Sequence, residues 1–126
     1  MRVLFSKDGF EQDCLPQICV EGRNFEYVTL INTIEIAVKN KRDGDFLILP
    51  SDSVDIETKL IFTIKSGDNK LLVNFKENRY QISLDTIYWQ EIVDLLRPLT
   101  IKKGYQFIEF DHFQLIEDLG LVFRAI

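Results

Sequence analysis

The chain is poor in the residues that do chemistry. One histidine, His112, and two cysteines, Cys14 and Cys19, are all the imidazole and thiol in 126 residues. The cysteines stand in "CLPQIC", a spacing wider than the C-x2-C knuckle of zinc ribbons. No second Cys/His pair exists to complete four ligands. Two thiols do not make a disulfide scaffold either, and in a cytosol they stay reduced. "DGDFLILPSD" opens as a calcium loop would and then runs apolar, so it does not supply regularly spaced oxygen ligands. No metal and no cofactor is expected. Neither phosphate-cradling glycine motif is present, and no G-x-S-x-G nucleophile elbow. No stretch approaches the roughly 20 apolar residues that span a bilayer, and "MRVLFSKDGF" has no signal-peptide core or cleavage site. The sequence therefore reads as cytoplasmic.

Positive charge is also short. Fifteen Lys and Arg stand against 20 Asp and Glu, for a formal net charge of -5. Phosphate backbones attract proteins through clustered cations, so nucleic-acid binding is not expected. A basic protein is the electrostatically natural partner.

What is abundant is core material: 46% apolar residues, ten of them phenylalanine. That suits one compact domain over residues 1–126. The sequence shows no repeat, no low-complexity tract and no linker. "RVLFS" and "ICVEG" read as short strands. Tyr27, Leu30, Ile31, Ile34, Ala37 and Val38 recur at helical spacing, while Val28, Leu30, Ile34, Ile36 and Val38 also alternate as in a strand. Cations at 39, 41 and 42 suit a helix C-terminus, which favours a helix over about 29–41. "DFLILP" reads as a buried strand. "KLIFTI", "LLVNF" and "YQISL", joined by "SGDN" and "KEN", read as a three-stranded antiparallel meander. "DTIYWQEIVDLLRPL" is amphipathic, with Asp85 as its N-cap and Pro98 ending it. "YQFIEF" and "LGLVFRAI" read as further strands. The expected class is α+β: an antiparallel sheet with two helices packed on one face.

Catalysis by Cys14 or Cys19 with His112 and Asp111 has the residue types but no local signature. Asp111 and His112 are neighbours, and adjacent side chains on extended backbone point to opposite faces. A buried, inert cysteine and a surface histidine are the simpler readings.

The remaining feature is the placement of charge. Residues 43–57, "DGDFLILPSDSVDIE", hold five acids and no base, and 109–118, "EFDHFQLIED", hold four acids and no base. From Asp8 to Glu26 there are five acids against Arg23. Cations group elsewhere, at Lys39, Lys41 and Arg42, at Lys65, Lys70, Lys76 and Arg79, and at Lys102 and Lys103. Charge runs often only keep a domain soluble. Read functionally, Asp43, Asp45, Asp52, Asp55, Glu57, Glu109, Asp111, His112, Glu117 and Asp118 form the candidate contact set for a cationic partner. Tyr105 and Tyr80 are candidate aromatic anchors. Acids around His112 favour its charged form, so contacts through it would vary near neutral pH.

Short, acidic α+β chains without a catalytic motif share the physical type of bacterial immunity proteins, which neutralise a toxin by covering it. The expectation is a binding protein of that type, directed at a basic, nuclease-like toxin. No motif identifies any one family. The competing expectation is an enzyme or accessory subunit that uses dispersed carboxylates. An exposed edge strand offers a route to homo-oligomers.

Overall fold

Alternating apolar residues with β-branched content form most of the structure. The computed structural model describes residues 1–6, 17–50, 59–67, 70–74, 79–108 and 120–126. Eight strands, two helices and a 3-10 turn follow in the order β1 Arg2–Ser6, β2 Gln17–Gly22, α1 Asn24–Asn40, β3 Gly44–Pro50, β4 Lys59–Ile64, β5 Lys70–Asn74, β6 Arg79–Leu84, α2 Thr86–Leu96, the turn Arg97–Thr100, β7 Gly104–Ile108 and β8 Gly120–Ala125. The class is α+β.

Two features differ from the sequence expectation. The described residues form two four-stranded sheets, ordered β1-β2-β8-β7 and β3-β4-β6-β5. Both are mixed, because β2 runs parallel to β8 and β4 parallel to β6. The expected meander is therefore wrong in its order: β6 lies between β4 and β5. The turn after β4 does not close a hairpin. Instead Ser66 donates its N–H and hydroxyl to Asp43 at 3.2 and 2.9 Å, and the Gly67 N–H donates to Asp85 at 2.8 Å. Those carboxylates carry the chain past β6 to the sheet edge. Asp85 is the N-cap residue of α2 as expected, and its carboxylate serves both this turn and the start of its own helix, where it accepts from the Thr86 hydroxyl at 3.1 Å. The Gly67 amide holds that carboxyl below its usual range.

Helix α1 begins at Asn24, five residues before its expected start. Glu26 accepts the Arg23 N–H at 3.0 Å, satisfying backbone at the helix start. Asn24 donates to the carbonyls of Leu99 at 2.7 Å and Lys102 at 2.9 Å, tying the helix to the 3-10 turn. Lys41, at φ 51°, takes the left-handed conformation that ends it. Nor is β3 a fully buried strand: Ile48 is exposed at the sheet edge. A register shift between Asp45 and Leu47 sets Phe46 apart, and its ring meets Trp89 at 5.1 Å and Phe62 at 6.2 Å.

The connectivity repeats. Exchanging β1-β2-α1-β3-β4 with β5-β6-α2-β7-β8 turns each sheet's strand order into that of the other. The buried helical residues match one for one: Tyr27 with Trp89, Leu30 with Ile92, Ile31 with Val93, Ile34 with Leu96. The match extends to hydrogen bonds. The Tyr27 hydroxyl bonds the Arg124 carbonyl of β8 at 2.7 Å, and the Trp89 indole N–H donates to the Thr63 carbonyl of β4 at 2.8 Å. Glu21 lies opposite Arg124 and Ser83 opposite Thr63, so the two carbonyls occupy equivalent sites. Gly44 at φ 141° and Gly104 at φ 152° both open the strand that follows a helix, in a conformation side chains rarely adopt. An internal repeat is thus present where the sequence shows none. What repeats is burial and bonding, not residue identity.

Each helix is consequently anchored on a different sheet, α1 on the first through Tyr27 and α2 on the second through Trp89, and the helices touch each other. The inward residues of both sheets join in one apolar cluster. Within it Phe62 of β4 meets Phe123 of β8 at 6.4 Å, one of the contacts between the two sheets.

Candidate partner-binding surface

The faces of the sheets turned away from that cluster carry the polar rows. On the second sheet, Asp45, Thr63 and Ser83 lie side by side. Asp45 Oδ1 accepts from Thr63 Oγ1 at 2.7 Å and from Gln81 Nε2 at 3.3 Å, while Gln81 also donates to Thr63 Oγ1 at 2.8 Å. Asp43 is engaged by Ser66. Both acids are exposed, yet each also bonds within its own sheet region. The other eight candidates, Asp52, Asp55, Glu57, Glu109, Asp111, His112, Glu117 and Asp118, lie outside the described residues.

The strands that flank those candidates are described, and they carry a topological fact. In the first sheet Ser6, Gln17 and Gly120 form one cross-strand row, with Ile108 opposite Leu121 beside it. In the second, Pro50, Lys59, Arg79 and Asn74 form one row. Because β2 and β8 are parallel, the β1–β2 and β7–β8 connections leave the first sheet at the same end. The sequence between Ser6 and Gln17 holds Asp8, Glu11 and Asp13, and that between Ile108 and Gly120 holds Glu109, Asp111, Glu117 and Asp118. Two acidic stretches about a hundred positions apart thus begin and end on neighbouring strands.

The outward face of the first sheet has a second row: Arg2, Glu21, Arg124 and Tyr105. Arg124 reaches Glu21 at 3.0 Å, with Arg2 at 4.0 Å on the other side, and its guanidinium lies 5.3 Å from the centre of the Tyr105 ring. Tyr105 stacks on Phe107, with ring centres 6.3 Å apart and planes at 17°. They are 55% and 60% exposed. Tyr80, the other anchor expected from sequence, is 8% exposed and belongs to the core. It stands in the buried row of β6 beside Ile82, where the parallel β4–β6 pairing turns it inward. Phe107 was legible as Tyr105's companion, since "YQFIEF" puts both on one face. Arg124 was not, because its position depends on the parallel β2–β8 pairing.

Arrangements for catalysis are not built from the described residues. No group of three or more His, Cys, Asp or Glu among them could hold a metal ion. An open depression of about 460 Å³ is lined by Asn32, Glu35, Ile36, Val38, Lys39 and Gln90, and one of about 220 Å³ by Met1, Glu26, Thr29, Leu30, Thr33, Leu47 and Leu49. Among the described residues each holds a single carboxylate, with no second acid, thiol or imidazole to pair with it. Cys19 is buried, and desolvation, then Glu21, push its thiol up to about 11 against the weaker pull of Arg124. A nucleophilic cysteine needs the opposite shift. At pH 7.5 its alkylation in the native protein is expected to be at least ~100-fold slower than in urea, from the lost thiolate fraction and burial. Peptide mapping separates it from Cys14, and native labelling within tenfold of the unfolded rate would show an accessible, activated thiol.

No helix among the described residues is long and apolar enough to cross a membrane. No protein-family model matches the chain, and no curated protein or solved structure shows significant similarity to it.

Proposed function

We propose that the protein is a small acidic binding protein of the cytoplasm that inhibits a basic protein partner by direct contact, in the manner of a bacterial immunity protein against a nuclease-like toxin. The observation that carries this reading is the common end of the first sheet. Seven acids in two stretches flank strand ends that lie side by side, against Lys7 and His112 as the only cationic or titratable bases between them. Both stretches start and finish at that end, so a cationic partner would be drawn there by their summed charge, which raises the encounter rate. The second sheet offers Asp52, Asp55 and Glu57 in the same relation to its own strand ends.

The test is capture of a basic protein from the native host, followed by charge reversal. Changing Glu109, Asp111, Glu117 and Asp118 to Lys is expected to slow association at least ~10-fold at low salt and to flatten its salt dependence. Changing Asp52, Asp55 and Glu57 to Lys is expected to act in the same direction. Unchanged association in both variants at low salt would remove the acidic stretches from the interface.

A further inference from the structure

The edge strand β7 is unusual for an edge. Solitary sheet edges are normally blunted by charge, proline or short length, because their free N–H and C=O groups template pairing with another chain. Gly104–Ile108 carries no charge and no proline, shows two large aromatic rings on its outward face, and among the described residues pairs only with β8. The equivalent strand β3 lies close to β1 and carries Asp45 on its outward face.

We propose that β7 is a self-association edge, where two copies of this chain pair antiparallel about a two-fold axis through Gln106 to form one continuous eight-stranded sheet. Three features select a second copy as the occupant. The strand is self-complementary: centred on Gln106, Tyr105 falls opposite the other copy's Phe107 and Phe107 opposite its Tyr105. Directly opposed aromatic pairs are among the stabilising cross-strand combinations. The rings are already ordered, since Arg124 lies over Tyr105 and is itself held by Glu21, so little side-chain freedom is lost on pairing. Charge also favours the antiparallel sense. Lys102 and Lys103, exposed and in no ion pair among the described residues, come beside the Ile108 end of the other strand, where the sequence turns acidic. Parallel pairing would bring the two acidic ends together. A five-residue strand pair buries a small area, so the dimer belongs with weak interfaces that fill at tens to hundreds of micromolar.

Sedimentation equilibrium of the full chain reads this directly. The mass is expected to rise from 14.8 kDa toward twice that as concentration increases to the high micromolar range. Phe107→Lys is expected to weaken dimerisation at least tenfold with the melting temperature retained, and Tyr105→Lys to do the same. Tyr105→Phe and the β3 surface change Ile48→Lys should dimerise as the parent does. The register has its own readout. Mixed under oxidising conditions, Tyr105→Cys and Phe107→Cys chains should cross-link to each other at least tenfold faster than either does to itself. A parent chain that stays monomeric throughout, a folded Phe107→Lys chain that dimerises normally, or cross-linking without that preference overturns the proposal. None of these outcomes bears on the acidic ends, so the inference stands or falls apart from the binding function.

Discussion

Trp89→Ala is expected to cost about 3–5 kcal/mol, the range for deleting a large buried aromatic, and to leave little of the 5–15 kcal/mol that holds a typical domain. Trp89 is fully buried, meets Phe62 at 4.9 Å and Phe46 at 5.1 Å, and donates its indole N–H to Thr63. The substitution therefore opens a cavity between α2 and the second sheet and leaves a buried carbonyl short of a donor. Trp89→Phe separates the two effects. It keeps most of the volume and loses the N–H, so its cost should be nearer 1–3 kcal/mol. Urea midpoints at constant m-value measure both. A loss below about 1 kcal/mol for Trp89→Ala would mean that Trp89 does not sit where the two aromatic contacts place it.

Arg124→Met should destabilise by about 2–3 kcal/mol, somewhat under the 3–5 of a fully buried pair because Arg124 is only half-buried. The Glu21 side chain is 10% exposed, and after the substitution the nearest cation among the described residues is Arg2 at 4.0 Å. A carboxylate with so little access to water is left poorly compensated. Glu21→Gln in the same chain should recover part of the loss, because removing the second charge removes the uncompensated one. The double-mutant cycle is then expected to give at least ~1 kcal/mol of coupling. Additive effects would show that the two residues act separately. The same row positions Tyr105, so the Arg124→Met chain also tests whether the aromatic shelf depends on its cation.

Local patterns carried much of this architecture. The 3–4 spacing of Tyr27, Leu30, Ile31 and Ile34 produced α1, and that of Trp89, Ile92, Val93 and Leu96 produced α2, because one face of each had to leave water. Alternation in "KLIFTI" and "YQISL" produced strands for the same reason. The start of α1 was misplaced because what sets it is Glu26 bonding back to Arg23 and Asn24 bonding to a turn 75 positions away. Neither bond leaves a mark in hydrophobic periodicity. Of the contact surface, the outward pairing of Tyr105 with Phe107 could be read from "YQFIEF", whereas the burial of Tyr80 could not. Alternation says that residues share a face, not which face is covered.

Composition and periodicity alone determined the α+β class, both helices, most strand positions and the gathering of acids into a few stretches. These follow from short-range rules, in which each residue is judged against neighbours a few positions away. Strand order, the two parallel pairings, the division into two sheets and the repeat of connectivity were decided only in three dimensions. Parallel neighbours are joined by no turn, so nothing local encodes them. β2 meets β8 because the inward rows of both, Val20 and Phe123 among them, bury against Tyr27 and the shared core, a gain that exists only once the whole chain has packed. That same pairing puts Arg124 over Tyr105 and sets the strands flanking two distant acidic stretches side by side.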